Sequence, residues 1–168
     1  IDVFWMGGQP VSYAIRTDGL GWRAVASPDD VSADEYFSAN LPPDTPQQIR
    51  SRIWDAIKTH RDRIRFEGGV LVAGLWFLTT AQATSEYSAL VLLGAGLPGA
   101  TILRADWRTM DDTLVDMTPD LARQILAAGF AQVAAIDDAA QAHKAALYAS
   151  PDPAEYDFSS GWPAIFEV

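Results

Sequence analysis

The sequence predicts an α+β protein: a small N-terminal β-meander, then a domain of about three helices and two β-hairpins with a long C-terminal helix. Three observations lead there. Apolar residues recur at helical spacing from Ile49 to Ile64 and again from Leu121 to Leu147. Two blocks, around Gly74 and around Asp111 and Asp112, alternate like strands on either side of turn formers. The first 27 residues show short strand-like runs broken by turn signals and no helical period.

In chain order, Gly7, Gly8, Gln9 and Pro10 divide the first two strands, and Thr17, Asp18 and Gly19 the next pair. Three strands are near the lower limit of independent stability, so their open edges are expected to dock on another element or subunit. Ser32-Ala33-Asp34-Glu35 has the form of a capping box and predicts a short helix as far as Asn40. Leu41-Pro42-Pro43-Asp44 then forces an extended connector. This places a boundary between a β-rich docking module, residues 1–44, and a helix and hairpin domain, residues 45–168.

Thr45, Pro46 and Gln48 give a second capping box with proline at the first helical position, and the helix should stop at Gly68 and Gly69. Val70 to Phe77 reads as a hairpin tightened at Gly74, and Gln82 to Leu93 as a middle helix. The block W-R-T-M-D-D-T-L-V-D-M-T-P, Trp107 to Pro119, reads as a hairpin turning at Asp111 and Asp112 and running into a capped helix, with Thr118 as N-cap. In that last helix Leu121, Ile125, Phe130, Val133, Ile136, Ala140 and Leu147 trace an apolar stripe, with Gly129 as a bend. Pro151 and Pro153 end it. An aromatic tail from Tyr156 to Phe166 has no period and should lie irregularly over a surface.

Composition narrows the function. A formal charge of −10 and a pI near 4.4 argue against a phosphate-backbone partner. Half of the 12 basic residues nevertheless fall between Arg50 and Arg65, which reads as the solvated face of a helix or as a docking surface for an acidic partner. The absence of cysteine excludes disulfides and thiolate metal sites. No apolar run approaches the roughly 20 residues of a membrane span.

Catalytic constellations were sought along the chain. Gly94 to Gly99 satisfies G-x-G-x-x-G, yet the chain continues as A-T-I-L-R, strand-like, where a dinucleotide site needs a helix N-terminus. His60 and His143 lack a second ligand at metal-site spacing and read as solvated or carboxylate-paired imidazoles. The neighbouring acids Asp29 with Asp30, Asp111 with Asp112, and Asp137 with Asp138 cannot face each other across a glycosidic bond. Trp76, Phe77, Trp107 and Trp162 could form a carbohydrate platform, but their apolar neighbours favour burial. No cofactor and no metal is expected.

Several short patterns occur together in one order: Lys58-x-x-Arg61-Asp62, Gly68-Gly69, Trp76-Phe77, Trp107-x-Thr109-Met110-Asp111 and Val115-x-Met117-Thr118-Pro119, followed by Y-D-F-S-S-G-W-P-A-I-F at Tyr156 to Phe166. This order resembles an uncharacterised domain family of tailed-phage proteins, over roughly Ile53 to Phe166. Its members are encoded among tail and tail-fibre genes, so the resemblance implies a role in a phage tail. It carries over no catalytic residue.

The resulting expectation is a non-enzymatic structural or attachment component of a phage tail, at the baseplate or fibres. Its partners would be other tail, baseplate or fibre proteins and further copies of itself, with no nucleic acid and no membrane. It would be made in the host cytoplasm and carried in the virion. A fibre-assembly chaperone and a polysaccharide-binding or polysaccharide-degrading module are the alternatives. The expected contact residues are Tyr156, Phe158, Trp162 and Phe166 in the tail, with Arg61 and Arg65 on the basic helix.

Overall fold

The computed structural model describes residues 5–6, 9–10, 12–18, 21–40 and 44–167, and divides into two compact units, Ile1–Ser51 and Arg52–Val168. The fold is α+β, with N-terminal strands, small antiparallel sheets and three helices, the last one long.

In the first unit β1 (Trp5–Met6) pairs antiparallel with β2 (Gln9–Pro10), so Gln9 and Pro10 are strand and not turn. Gly7, Gly8 and Gly19 lie outside the described residues, as do Leu41, Pro42 and Pro43, on which the expected boundary rests. A second sheet has β3 (Ser12–Arg16) in the middle, flanked by β4 (Trp22–Val25) and β5 (Glu35–Ser38), all antiparallel. It therefore draws its third strand from beyond residue 27, and its order is not that of a meander.

The helix expected after Ser32 is the strand β5. Half of the capping box does form, the Ser32 N–H donating to Glu35 Oε2 at 2.9 Å. The same carboxylate, however, is gripped by Arg23, with Nη2 to Oε2 at 2.8 Å and Nε to Oε1 at 3.1 Å. These bonds hold Glu35 below the usual carboxylate range, Arg23 first and Ser32 second. Tyr36 and Phe37, good strand formers, then pair with Ile15 and Ala14 on β3. The complete capping box nearby is at Ser27 and Asp30, and it opens a single 3₁₀ turn, Pro28–Asp30.

α1 (Pro46–Glu67) begins with the expected box, Thr45 N–H to Gln48 Oε1 at 2.7 Å and Gln48 N–H to Thr45 Oγ1 at 3.3 Å. In the second unit, β6 (Val70–Val72) and β7 (Leu75–Phe77) form a hairpin whose turn residues Ala73 and Gly74 both have positive φ, the geometry that two-residue hairpin turns require. α2 (Ala81–Leu93) is capped by Thr80. β8 (Arg104–Arg108) and β9 (Leu114–Met117) form the second hairpin, with a bulge between Arg104 and Trp107 where Asp106 has a φ of 53°. α3 (Pro119–Ala149) runs uninterrupted for 31 residues, about 46 Å at 1.5 Å per residue. No helix among the described residues is long and apolar enough to cross a membrane.

Two apolar clusters sit in this unit. The larger joins both hairpins to α2 and α3 through Val70, Val72, Phe77, Tyr87, Trp107, Met117, Ala122 and Ile125. The smaller joins α1 to α3 through Ile57, Ala140 and Leu147, and is closed by the partly buried Trp54, Tyr156, Phe158 and Trp162. The stripe on α3 follows expectation except at Phe130. Ala122, Ile125, Ile136, Ala140 and Leu147 are buried, Gly129 and Val133 continue the same face half-buried, and Phe130 points outward, 74% exposed.

Candidate interaction surface

The motif residues of the second unit come together in space, and each has a structural task. The Thr118 side chain accepts the Leu121 N–H at 3.2 Å and Pro119 is buried at the first helical position, so T-P starts α3. Thr109, buried, donates its N–H across the turn to Thr113 O at 2.9 Å. Its single hydroxyl proton goes to Asp111, with Thr113 O as the alternative acceptor, and the bond to Asp111 is the main reason that carboxyl is held below the usual range. Asp111 is thus an ionised turn lock, with Asp112 beside it at a φ of 61°.

Met110 links this turn to the other hairpin, its N–H donating to Trp76 O at 2.8 Å. Gly69, at a φ of 65°, leaves room for the Met110 thioether; a Cβ there would overlap Sδ and press on Phe77 O. Gly68 makes the same allowance for Ile165. Burial raises the Tyr87 hydroxyl to about 12, so the phenol stays neutral, packed on Trp107 with ring centroids 5.3 Å apart. Phe77 and Trp107 are buried, and Trp76 packs on Phe166 at 6.1 Å, so three members of the conceivable sugar platform are taken up in packing. The glycine run at 94–99 is a loop leading to β8. A Cβ on Gly94 would collide with Pro119, and the Asp120 N–H donates to Gly99 O at 3.2 Å, so the loop fits against the start of α3.

The tail residues lie on their own chain. After a 3₁₀ turn at Pro153–Glu155, Tyr156, Phe158 and Trp162 pack into the α1/α3 cluster as an irregular strap. Three bonds fix its course: Trp162 Nε1–H to Phe158 O at 2.7 Å, Gln132 Nε2–H to Ala164 O at 2.7 Å, and Phe166 N–H to Gly68 O at 2.8 Å. Arg61 pairs with Asp62 at 2.7 Å, and Arg65 lies 3.7 Å from Asp137 on α3. The basic stretch is to that extent neutralised locally.

Both histidines depart from the solvated, carboxylate-paired reading. Each is half-buried against rings of the strap, with centroid distances to Trp162 of 4.8 Å for His60 and 4.9 Å for His143. His143 Nδ1 is also 2.9 Å from the Tyr156 hydroxyl. No signal short of the tertiary fold announces this, because the partners are 102 and 19 residues away.

Among the exposed large apolar side chains, two settings stand out. Leu92 (76% exposed), Leu93, Leu97 and Ile102 gather in sequence at the end of α2 and in the loop after it. Phe130 stands on the rim of a small cleft of about 90 Å³ between α2 and α3, lined mainly by Tyr87, Ile125, Leu126 and Val133. No group of three or more potential metal ligands occurs among the described residues.

Residues 48–160 match the family described as a domain of unknown function (DUF4376). The chain belongs to that family. Its matched span runs from α1 through both hairpins and the whole of α3 to the first part of the strap, and takes in every motif placed above from Lys58 to Pro119. No curated protein and no solved structure matches the chain.

Proposed function

We propose that this DUF4376 protein is a non-enzymatic structural or attachment component of a bacteriophage tail, at the baseplate or fibres, acting through protein–protein contacts in several copies. The observation that carries the reading is how the motif residues are used. Thr109, Met110, Asp111, Met117, Thr118 and Pro119 serve turns, caps and core, and several large apolar side chains face outward, Leu92, Leu93, Ile102 and Phe130 among them. Exposed groups of that kind are typical anchors for other proteins. The order of motifs, similar to that of tail-associated phage proteins, supplies the setting.

Mass spectrometry of purified particles from the source that encodes the chain is the test. A fixed copy number in the particle is the expected result. Absence from particles together with co-purification with fibre subunits would replace this reading with an assembly chaperone. A monomer absent from both would overturn it, and release of reducing ends from host polysaccharide would move the protein to the enzymes.

A further inference from the structure

We propose that His60 is the trigger of an acid-sensitive latch: while neutral it packs, together with His143, on the Trp162 indole and holds the C-terminal strap, residues 156–167, in the α1/α3 groove, and its protonation lets the strap go.

The chain contains two histidines, and both pack on the same indole of Trp162, one from α1 and one from α3. His60 also meets Phe158 edge-on at 6.2 Å, and His143 meets Tyr156 at 6.2 Å. The strap's backbone passes close to His143 at Gly161, whose φ of 88° suits glycine; a Cβ there would lie 3.5 Å from Nε2. The contact is therefore built from both sides: two helices present the imidazoles, and the strap presents rings and a glycine. Apart from these rings, the strap is anchored on α3 and at Gly68 by the two hydrogen bonds to Ala164 and Phe166, with no strand pairing. Segments held by so few backbone bonds open at a fraction of the global unfolding cost.

The charged and titratable groups around the rings decide the direction. On α1, Arg63 lies one turn beyond His60; on α3 there is His143 itself; on the strap there are Tyr156 and Asp157. Burial first, then Arg63 and His143, hold His60 below its ordinary value. Opening the strap relieves the burial, the largest of these causes, so His60 takes up a proton more readily in the open form than in the closed one, while Arg63 and His143 stay beside it. Between its closed-form and open-form pKa values the open form binds more protons than the closed one, so closure is strongest above both and weakens as the pH falls through the interval.

On the strap, Asp157 is held below the usual carboxylate range by the Ser159 N–H at 2.8 Å and hydroxyl at 3.0 Å, with His143 a smaller contribution. The Tyr156 hydroxyl, kept protonated by burial, donates to Nδ1 when that nitrogen is bare and must turn to accept when it carries a proton. Against the cation–π attraction that an imidazolium gains from an indole, His60 has its burial in the groove and the like charge of Arg63 beside it. His60 is accordingly the group that triggers opening.

Hydrogen exchange of the full chain at pH 7.5 and 5.0, corrected for intrinsic rates, reads the latch at the Phe166 amide. Protection there should fall severalfold at pH 5.0, while amides of the β6–β7 and β8–β9 hairpins keep theirs. The double variant His60→Gln, His143→Gln should lose the difference between the two pH values. Should that variant not fold, NMR titration of the native imidazoles decides: the His60 transition must lie below 6.5 and coincide with strap opening. Strap protection that does not change with pH, that falls equally in the folded double variant, or that follows a carboxylate midpoint near 4 overturns the proposal.

Discussion

The two apolar clusters of the second unit are built from different kinds of chain. The hairpin cluster is assembled from neighbours in sequence: β6–β7, α2, β8–β9 and the start of α3, each closed by its own turn or cap, with Phe77 and Met117 fully buried. The strap cluster has Ile57, Ala140 and Leu147 fully buried, and its remaining cover comes from Ile53 and Trp54 on α1 and from half-buried rings on an irregular segment. One region is locked by many short-range decisions that agree, the other by one long-range docking event. The contrast predicts a domain whose motif-bearing part is rigid and whose C-terminal strap is its most easily opened piece.

The largest test of that contrast is Phe77→Ala. Removing a fully buried ring at the centre of the hairpin cluster should cost about 3–5 kcal/mol of global stability in urea unfolding. Trp162→Ala takes a ring of similar size from the strap and should cost only about 1–2 kcal/mol, because the strap can open without the core and the loss is capped by that local opening. Equal costs would mean that the two clusters unfold as one.

Smaller changes sharpen the picture on α3. Thr118→Ala deletes the cap that accepts the Leu121 N–H and should cost about 1 kcal/mol, read in the same unfolding assay. Gly129→Ala should instead stabilise by about 0.5–1 kcal/mol: the residue is helical, and a Cβ built there meets nothing within 4 Å. A loss at Gly129 would show that the adjoining cleft must stay open.

Legibility in the sequence follows the same division. The starts of α1 and α3 can be read from Thr45 with Gln48 and from Thr118 with Pro119, because caps and prolines act within four residues. The Gly74 and Asp111–Asp112 turns are legible for the same reason. Ser32 to Glu35 misleads because the reciprocal bond it encodes is compatible with a turn into strand, and the competing partner, Arg23, is twelve residues away. Phe130 misleads because an alanine-rich helix has little contrast between faces, so the largest side chain draws the stripe one residue past Gly129. The strap gives no local signal for where it docks: neither His60 nor Trp162 marks the other by spacing. Its rings Tyr156, Phe158 and Trp162 pack half-buried against α1 and α3.

Native-state hydrogen exchange at neutral pH measures the contrast most directly. The account predicts that amides in β6, β7, β8 and β9 exchange only through global unfolding, with a dependence on denaturant as steep as that of the whole unit, while the Phe166 amide exchanges through a local opening nearly independent of denaturant. Equal protection and equal denaturant dependence in both regions would contradict it.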